Sequence, residues 1–227
     1  MAELAVAFDV PRAADALRLY ERLRDVVRWY KVGSVLFVAE GPSVVRELVA
    51  RGAQVFLDLK WHDIPSTVAG AVEAAAALGA SLATVHLAGG RAMHEAASRA
   101  AAGRLRLVGV GVLTSLDAAA YAEVVGRPVR DLGDELTRLG RAGCDAGLDG
   151  VVASPAELRG LRAALGPRAL LVAPGIRGRG DAAGDQVRTA SAREAVAGGA
   201  DILVVGRPIT AAADPRAAAT ALLEEMA

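Results

Sequence analysis

The chain has 227 residues, 53% hydrophobic and 23% charged, with a formal net charge of +0. That length fits one domain spanning 1–227, the composition excludes a disordered chain, and the charge balance gives no bulk attraction for nucleic acid or an anionic membrane. The single cysteine, Cys144, cannot form an internal disulfide and reads as a small buried residue in a reducing compartment.

The N-terminal stretch MAELAVAFDVPRAADALRLYERL shows no basic leader ahead of an apolar core. No apolar run approaches the roughly 20 residues of a membrane span, so a cytoplasmic protein is expected.

Short Val-, Leu- and Ile-rich runs alternate with longer Ala-, Leu- and Arg-rich stretches along the chain. Strands are predicted at Leu4–Asp9, Trp29–Gly33, Gln54–Lys60, Ser81–His86, Arg106–Leu113, Gly150–Ala153, Ala169–Val172 and Ile202–Val205. Helices are predicted at Arg12–Val27, Ser43–Arg51, Ser66–Leu78, Arg91–Ala102, Leu132–Ala146, Ala156–Leu165, Ala192–Ala197 and Arg216–Met226. Pro11, Pro42, Pro65, Pro155 and Pro215 sit at or just before helix starts, where a missing backbone N–H costs nothing. Gly52, Gly79 and Gly103 follow helix ends, as left-handed caps do.

Strands separated by helix-length segments pair in parallel through crossovers. Eight such units predict a (β/α)8 barrel of the TIM type, with eight parallel strands inside and helices outside. The alternative is an open doubly wound sheet, but no GxGxxG follows the first strand. Two connections are long, Ser115–Asp131 and Pro174–Ser191. Both follow strands, and loops of that kind lie on the face of a barrel where catalysis happens.

The third strand runs into VFLDLKWHDIPSTV, which places Asp58, Lys60, His62 and Asp63 close together. Side chains alternate along a strand, so Gln54, Phe56, Asp58 and Lys60 share one face and Val55, Leu57 and Leu59 the other. With the aliphatic face against helices, Asp58 and Lys60 point to the barrel axis at its C-terminal mouth. Asp9 and Lys31 end strands one and two, so all four charges can converge there, with Asp63 just beyond.

A structural ion-pair plug is the bland reading. Desolvated charges are costly to hold, however, and Val or Leu would fill a barrel without that cost. Mixed charges in a dry mouth suit an enzyme that stabilises developing charge. A metal site finds little support: His62, His86 and His94 show no HxH or HExxH spacing, and lysines flank Asp58. His62 and His86 read as loop-fixing and hydrogen-bonded barrel residues.

A second constellation follows strands seven and eight. APGIRGRGDAAGDQVRTAS carries Arg177 and Gln186, and VVGRPIT carries Gly206 and Arg207. Loops at these positions of a barrel often hold a phosphate, and Arg207 could clamp one with two hydrogen bonds. A phosphate handle beside a Lys/Asp array describes a phosphorylated small substrate whose reacting end changes charge.

FLDLKWHDIPSTV resembles the Asp-x-Lys-x-x-Asp-Ile-Pro-x-Thr signature of the orotidine 5′-phosphate decarboxylase family. FVAEGP, VHLAGG, VGVLTS, GLDGVVASP, APGIR, GDQVR and VVGRPIT resemble its other blocks, in the family's order. The resemblance implies decarboxylation of orotidine 5′-phosphate to UMP, the last step of de novo pyrimidine nucleotide synthesis, with no metal and no organic cofactor. It implies that Lys60 protonates C6 of the pyrimidine, that Asp58 lies by the departing carboxylate, and that Lys31 bridges Asp58 and the ribose.

Asp9 would bind the ribose, and Thr114 and Ser115 the pyrimidine. Gln186, Gly206 and Arg207 would hold the phosphate, with Arg177 in the same loop. It further implies a homodimer in which Asp63 and Thr67 reach into the partner's site. Departures from the family pattern, at Trp61, Gly178 and Gly184, lie outside the charged array. Rival readings are a Mg²⁺-dependent 3-keto-gulonate-6-phosphate decarboxylase or hexulose-phosphate synthase, and a non-catalytic phosphoribosyl-ligand sensor.

Overall fold

A computed structural model describes residues 1–176 and 190–227. Eight parallel strands close into a barrel in chain order, from β1 to β8 and back to β1. They are β1 (Glu3–Phe8), β2 (Trp29–Gly33), β3 (Gln54–Trp61), β4 (Leu82–His86), β5 (Arg106–Val110), β6 (Gly150–Val152), β7 (Leu170–Ala173) and β8 (Ile202–Val205). The expected fold class is therefore the observed one.

Outer helices follow the strands. The first half carries α1 (Ala13–Leu23), α2 (Ser34–Glu40), α3 (Ser43–Ala50), α4 (Pro65–Ala77) and α5 (Gly90–Ala101). The second half carries α6 (Ala118–Val125), α7 (Leu132–Asp145), α8 (Leu158–Leu165), α9 (Ala192–Ala197), α10 (Arg207–Thr210) and α11 (Pro215–Met226).

Alternation in the strands builds two apolar layers. Ala5, Ala7, Trp29, Phe56, Leu82, Val108, Val172, Ile202 and Val204 fill the barrel interior. Leu4, Val6, Phe8, Val55, Leu57, Leu171 and Leu203 face outward and meet the helices. Each fully buried Val, Leu or Phe contributes about 1.5–3 kcal/mol, so the inner layer closes the barrel floor tightly enough to support a cleft above it.

Helix α1 shows how the outer layer is specified. Ala16, Tyr20 and Leu23 are buried at helical spacing, and Asp15 stands in its first turn. It stops at Leu23, short of the expected Val27. The N–H groups of Val26 and Val27 both turn back onto the Leu23 carbonyl, at 2.9 and 2.8 Å, which draws Val27 into the core. Pro65 and Pro215 open α4 and α11 at the first helical position, and Gly52, Gly79 and Gly103 take the left-handed backbone expected of caps.

Three expectations need correction. Strand β5 ends at Val110 instead of Leu113, and Leu113 itself is exposed. The connection Ser115–Asp131 contains a helix that was not anticipated, α6, which Asp117 caps by accepting from the N–H of Ala120. Helix α2 was not anticipated; Val35 and Val38 on it are exposed. Its SVLFVAE sequence is short and β-branched, with no helical stripe to mark it.

Candidate active site

The C-terminal ends of the strands surround a cavity of about 540 Å³. Ala7, Phe56, Val152, Val172 and Val204, from the barrel interior, form its floor. Asp9, Lys31, Asp58 and Lys60 line one side. Thr114, Pro174, Gly175, Gly206 and Arg207, from the segments after β5, β7 and β8, complete the lining.

The four charges form a continuous string. Lys31 Nζ lies 3.0 Å from Asp9 Oδ1 and 3.6 Å from Asp58 Oδ2. Lys60 Nζ donates to Asp58 Oδ1 at 2.9 Å. Lys31 and Asp58 are the sunken members, with side chains 11% and 13% exposed, while Lys60 at 39% reaches toward the opening. Gly33 makes this packing feasible, because a Cβ there would stand 2.9 Å from Lys31 Nζ.

Burial alone would push the Asp58 carboxyl up. The charges of Lys31 and Lys60, with hydrogen bonds from Lys60 and Thr84, outweigh it and hold Asp58 below the usual carboxylate range. Asp58 is therefore an anion at neutral pH, and it faces an ammonium on each side.

Lys60 is placed by a break in the strand pattern. Leu57 pairs with Ala83 and Trp61 with Val85, so Asp58, Leu59 and Lys60 oppose Thr84 alone. This is a bulge, and within it Lys60 has a φ of 52°. A left-handed backbone at a residue with a long side chain costs about 1–3 kcal/mol and is typical of sites where strain is retained for function. Strict alternation thus holds to Asp58 and fails at Lys60; the bulge, not a regular pleat, carries the lysine to Asp58.

Thr84 completes the arrangement and has no counterpart in the sequence-based reading. Its hydroxyl accepts from the Lys60 N–H at 2.8 Å and donates to Asp58 Oδ1 at 3.0 Å. The available signal was its position: Leu82 and Thr84 alternate onto the inner face of β4, and Thr84 is a fully buried polar residue there.

The other expected site residues divide into three groups. Thr114, Gly206 and Arg207 line the cavity, with Arg207 opening α10 directly after β8. Ser115 is exposed and is not among the lining residues. Asp63 and Thr67 are also exposed and outside the lining; Asp63 accepts from the next N–H, that of Ile64, at 2.6 Å. Arg177 and Gln186 lie outside the described residues.

The histidines sit behind the array. His62 stacks on His86 at 4.8 Å, His86 Nδ1 accepts from the Ala88 N–H, and His94 Nε2 lies 3.1 Å from the His86 carbonyl. Burial pushes His86 down, and His62, His94 and Lys60 add to the effect. Among the described residues no group of three His, Cys, Asp or Glu side chains is placed to hold a metal ion. No helix among them is long and apolar enough to cross a membrane.

Residues 2–222 match the family model described as "Orotidine 5'-phosphate decarboxylase / HUMPS family". The chain is 49% identical over 221 residues to the orotidine 5′-phosphate decarboxylase of an Anaeromyxobacter species, covering 96% of each. It is 50% identical over 228 residues to the one from Halorhodospira halophila, covering 99% of this chain and 95% of the relative. A crystal structure of orotidine 5′-phosphate decarboxylase from Lactobacillus acidophilus superposes with a TM-score of 0.88 at 32% identity, covering 100% of this chain and 99% of the other. An uncharacterized conserved protein from Geobacillus kaustophilus superposes with a TM-score of 0.86 at 33% identity, covering 99% and 100%. A site built on the mouth of a closed barrel, in a chain matched from end to end at this level, settles the kinship: the chain belongs to the orotidine 5′-phosphate decarboxylase / HUMPS family.

Proposed function

We propose that this chain is a carboxy-lyase that converts orotidine 5′-phosphate to UMP and CO2 in pyrimidine nucleotide synthesis, without metal or organic cofactor. The observation that carries the reading is the Asp9–Lys31–Asp58–Lys60 string on one side of the cavity, in a chain whose relatives bear that activity in their names.

The chemistry follows from charge. Breaking the bond between C6 and the carboxylate releases CO2 and leaves an electron pair on C6, with no cofactor to delocalise it. The Lys60 ammonium stabilises that pair and then transfers a proton to it, forming the C–H bond of UMP; solvent returns a proton to the amine. Asp58 orients Lys60 through a 2.9 Å hydrogen bond and is itself anchored by Lys31, so no reorganisation is needed as charge develops.

Asp58 stands by the departing carboxylate, and Asp9 with Lys31 takes the ribose hydroxyls. Thr114 and Ser115 meet the pyrimidine. Gly206 and Arg207 hold the phosphate with Gln186 and Arg177, as a guanidinium fork suits a phosphate. Phosphate binding does no chemistry, but it positions the reacting end and commits the substrate.

The enzyme acts as a homodimer in this reading. Asp63 and Thr67 are exposed and do not line their own cavity, which suits residues that serve a partner's site. Ile64 after β3, and Val35 and Val38 on α2 after the neighbouring β2, are exposed apolar side chains that a second copy would cover.

The test is loss of orotidine 5′-phosphate absorbance with purified protein in EDTA. Sustained turnover supports the reading. Turnover only with Mg²⁺ on a sugar phosphate would place the chain with the gulonate-phosphate or hexulose-phosphate enzymes, and UMP binding without turnover would make it a sensor.

A further inference from the structure

We propose that Thr84 is a positioning residue, whose buried hydroxyl locks the Lys60 backbone and the Asp58 carboxylate into one fixed unit. The role rests on the decarboxylation reading for its effect on rate, and on geometry for the rest.

The hydroxyl has one proton and a fixed set of neighbours. The Lys60 N–H arrives on its oxygen at 2.8 Å, so the hydroxyl proton must point elsewhere, and Asp58 Oδ1 lies 3.0 Å away. Thr84 is 0% exposed, which removes water as a competitor. The bulge leaves Thr84 as the sole β4 residue opposite Asp58, Leu59 and Lys60, so its side chain replaces the carbonyl that a regular ladder would have offered the Lys60 N–H. The left-handed Lys60 backbone is held from the strand next door. Asp58 Oδ1 then receives hydrogen bonds from both Thr84 and Lys60, leaving Oδ2 to face Lys31.

Thr84→Val keeps the shape and removes the hydroxyl. Losing a hydrogen bond to a charged group predicts a fall in kcat of about 10- to 100-fold, with KM within about threefold because Thr84 does not line the cavity. Carbon-13 NMR titration of labelled aspartate should show the Asp58 midpoint moving up in Thr84→Val. Thr84→Ser should restore both readouts. Thr84→Cys, with a weak donor, should follow valine and serves if valine does not fold.

Wild-type kcat in Thr84→Val, a shifted Asp58 midpoint without a change in rate, or failure of serine to rescue would each overturn the role. If the wild-type protein does not decarboxylate orotidine 5′-phosphate, the proposed function fails, and the Asp58 titration alone decides Thr84.

Discussion

The two ends of this barrel use charge in opposite ways. At the N-terminal end, ionic groups serve the backbone. Asp201 accepts from Arg162 at 2.6 Å and from the Leu171 N–H at 2.7 Å, and Asp149 accepts from the Leu107 N–H. Trp29 plugs the axis, with Glu3 on its ring N–H and Arg106 over its face. At the C-terminal end, Asp9, Lys31, Asp58 and Lys60 bind mainly one another, beside an open cavity. Charges that close the barrel are spread among backbone partners; the charges beside the cavity are strung together.

Breaking each end should therefore give different losses. Lys60→Ala removes the proposed proton donor and should lower kcat by about 10⁴-fold or more, measured by substrate absorbance, while UMP still binds by calorimetry. Asp63→Ala should be inactive for a different reason. In the proposed homodimer, mixing it with Lys60→Ala chains should return roughly a quarter of wild-type activity after subunit exchange, since half the dimers would be mixed and each would have one intact site. No recovery after confirmed exchange would remove the shared-site reading.

Arg207→Ala should raise KM about 100-fold and change kcat by less than about tenfold, as expected for a handle that makes no bonds to the reacting carbon. At the other end, Asp201→Ala should cost about 1–3 kcal/mol of unfolding free energy in a urea titration, because an N–H and a guanidinium lose their acceptor.

The smallest effect concerns acid. Asp58 is held below its ordinary value, so its contribution to stability is complete above the unfolded carboxylate range, near about pH 4, and is lost as pH falls through the lower folded value. Lys31→Met removes a charge that lowers Asp58, and the acid unfolding limb should move to higher pH. An unmoved limb would mean that Lys31 does not hold Asp58 ionised.

Much of the fold was legible because strand and helix periods differ and eight units repeat. Asp9, Lys31 and Asp58 could be placed from alternation and neighbouring strand order alone. Lys60 reached the expected place by an unexpected route, since a bulge and a left-handed backbone are products of tertiary pairing that no local pattern encodes. Thr84 was hidden for the same reason: a threonine in a strand is ordinary until the residue opposite it slips register. Helix α6 was obscured by AAAYAEVV, whose alanines give no apolar stripe, and by the flanking glycine and proline. Thr114 lines the cavity and its neighbour Ser115 is exposed outside the lining, a difference that the sequence VGVLTS does not carry.

The most direct measurement is kcat at saturating orotidine 5′-phosphate for Lys60→Ala and Asp201→Ala, with folding verified in the same samples. Asp201→Ala should stay within about twofold of wild type below its unfolding transition, while Lys60→Ala should lose about 10⁴-fold. Near-normal turnover by Lys60→Ala, or equal losses at the two ends, would rule out a catalytic role confined to the C-terminal charges.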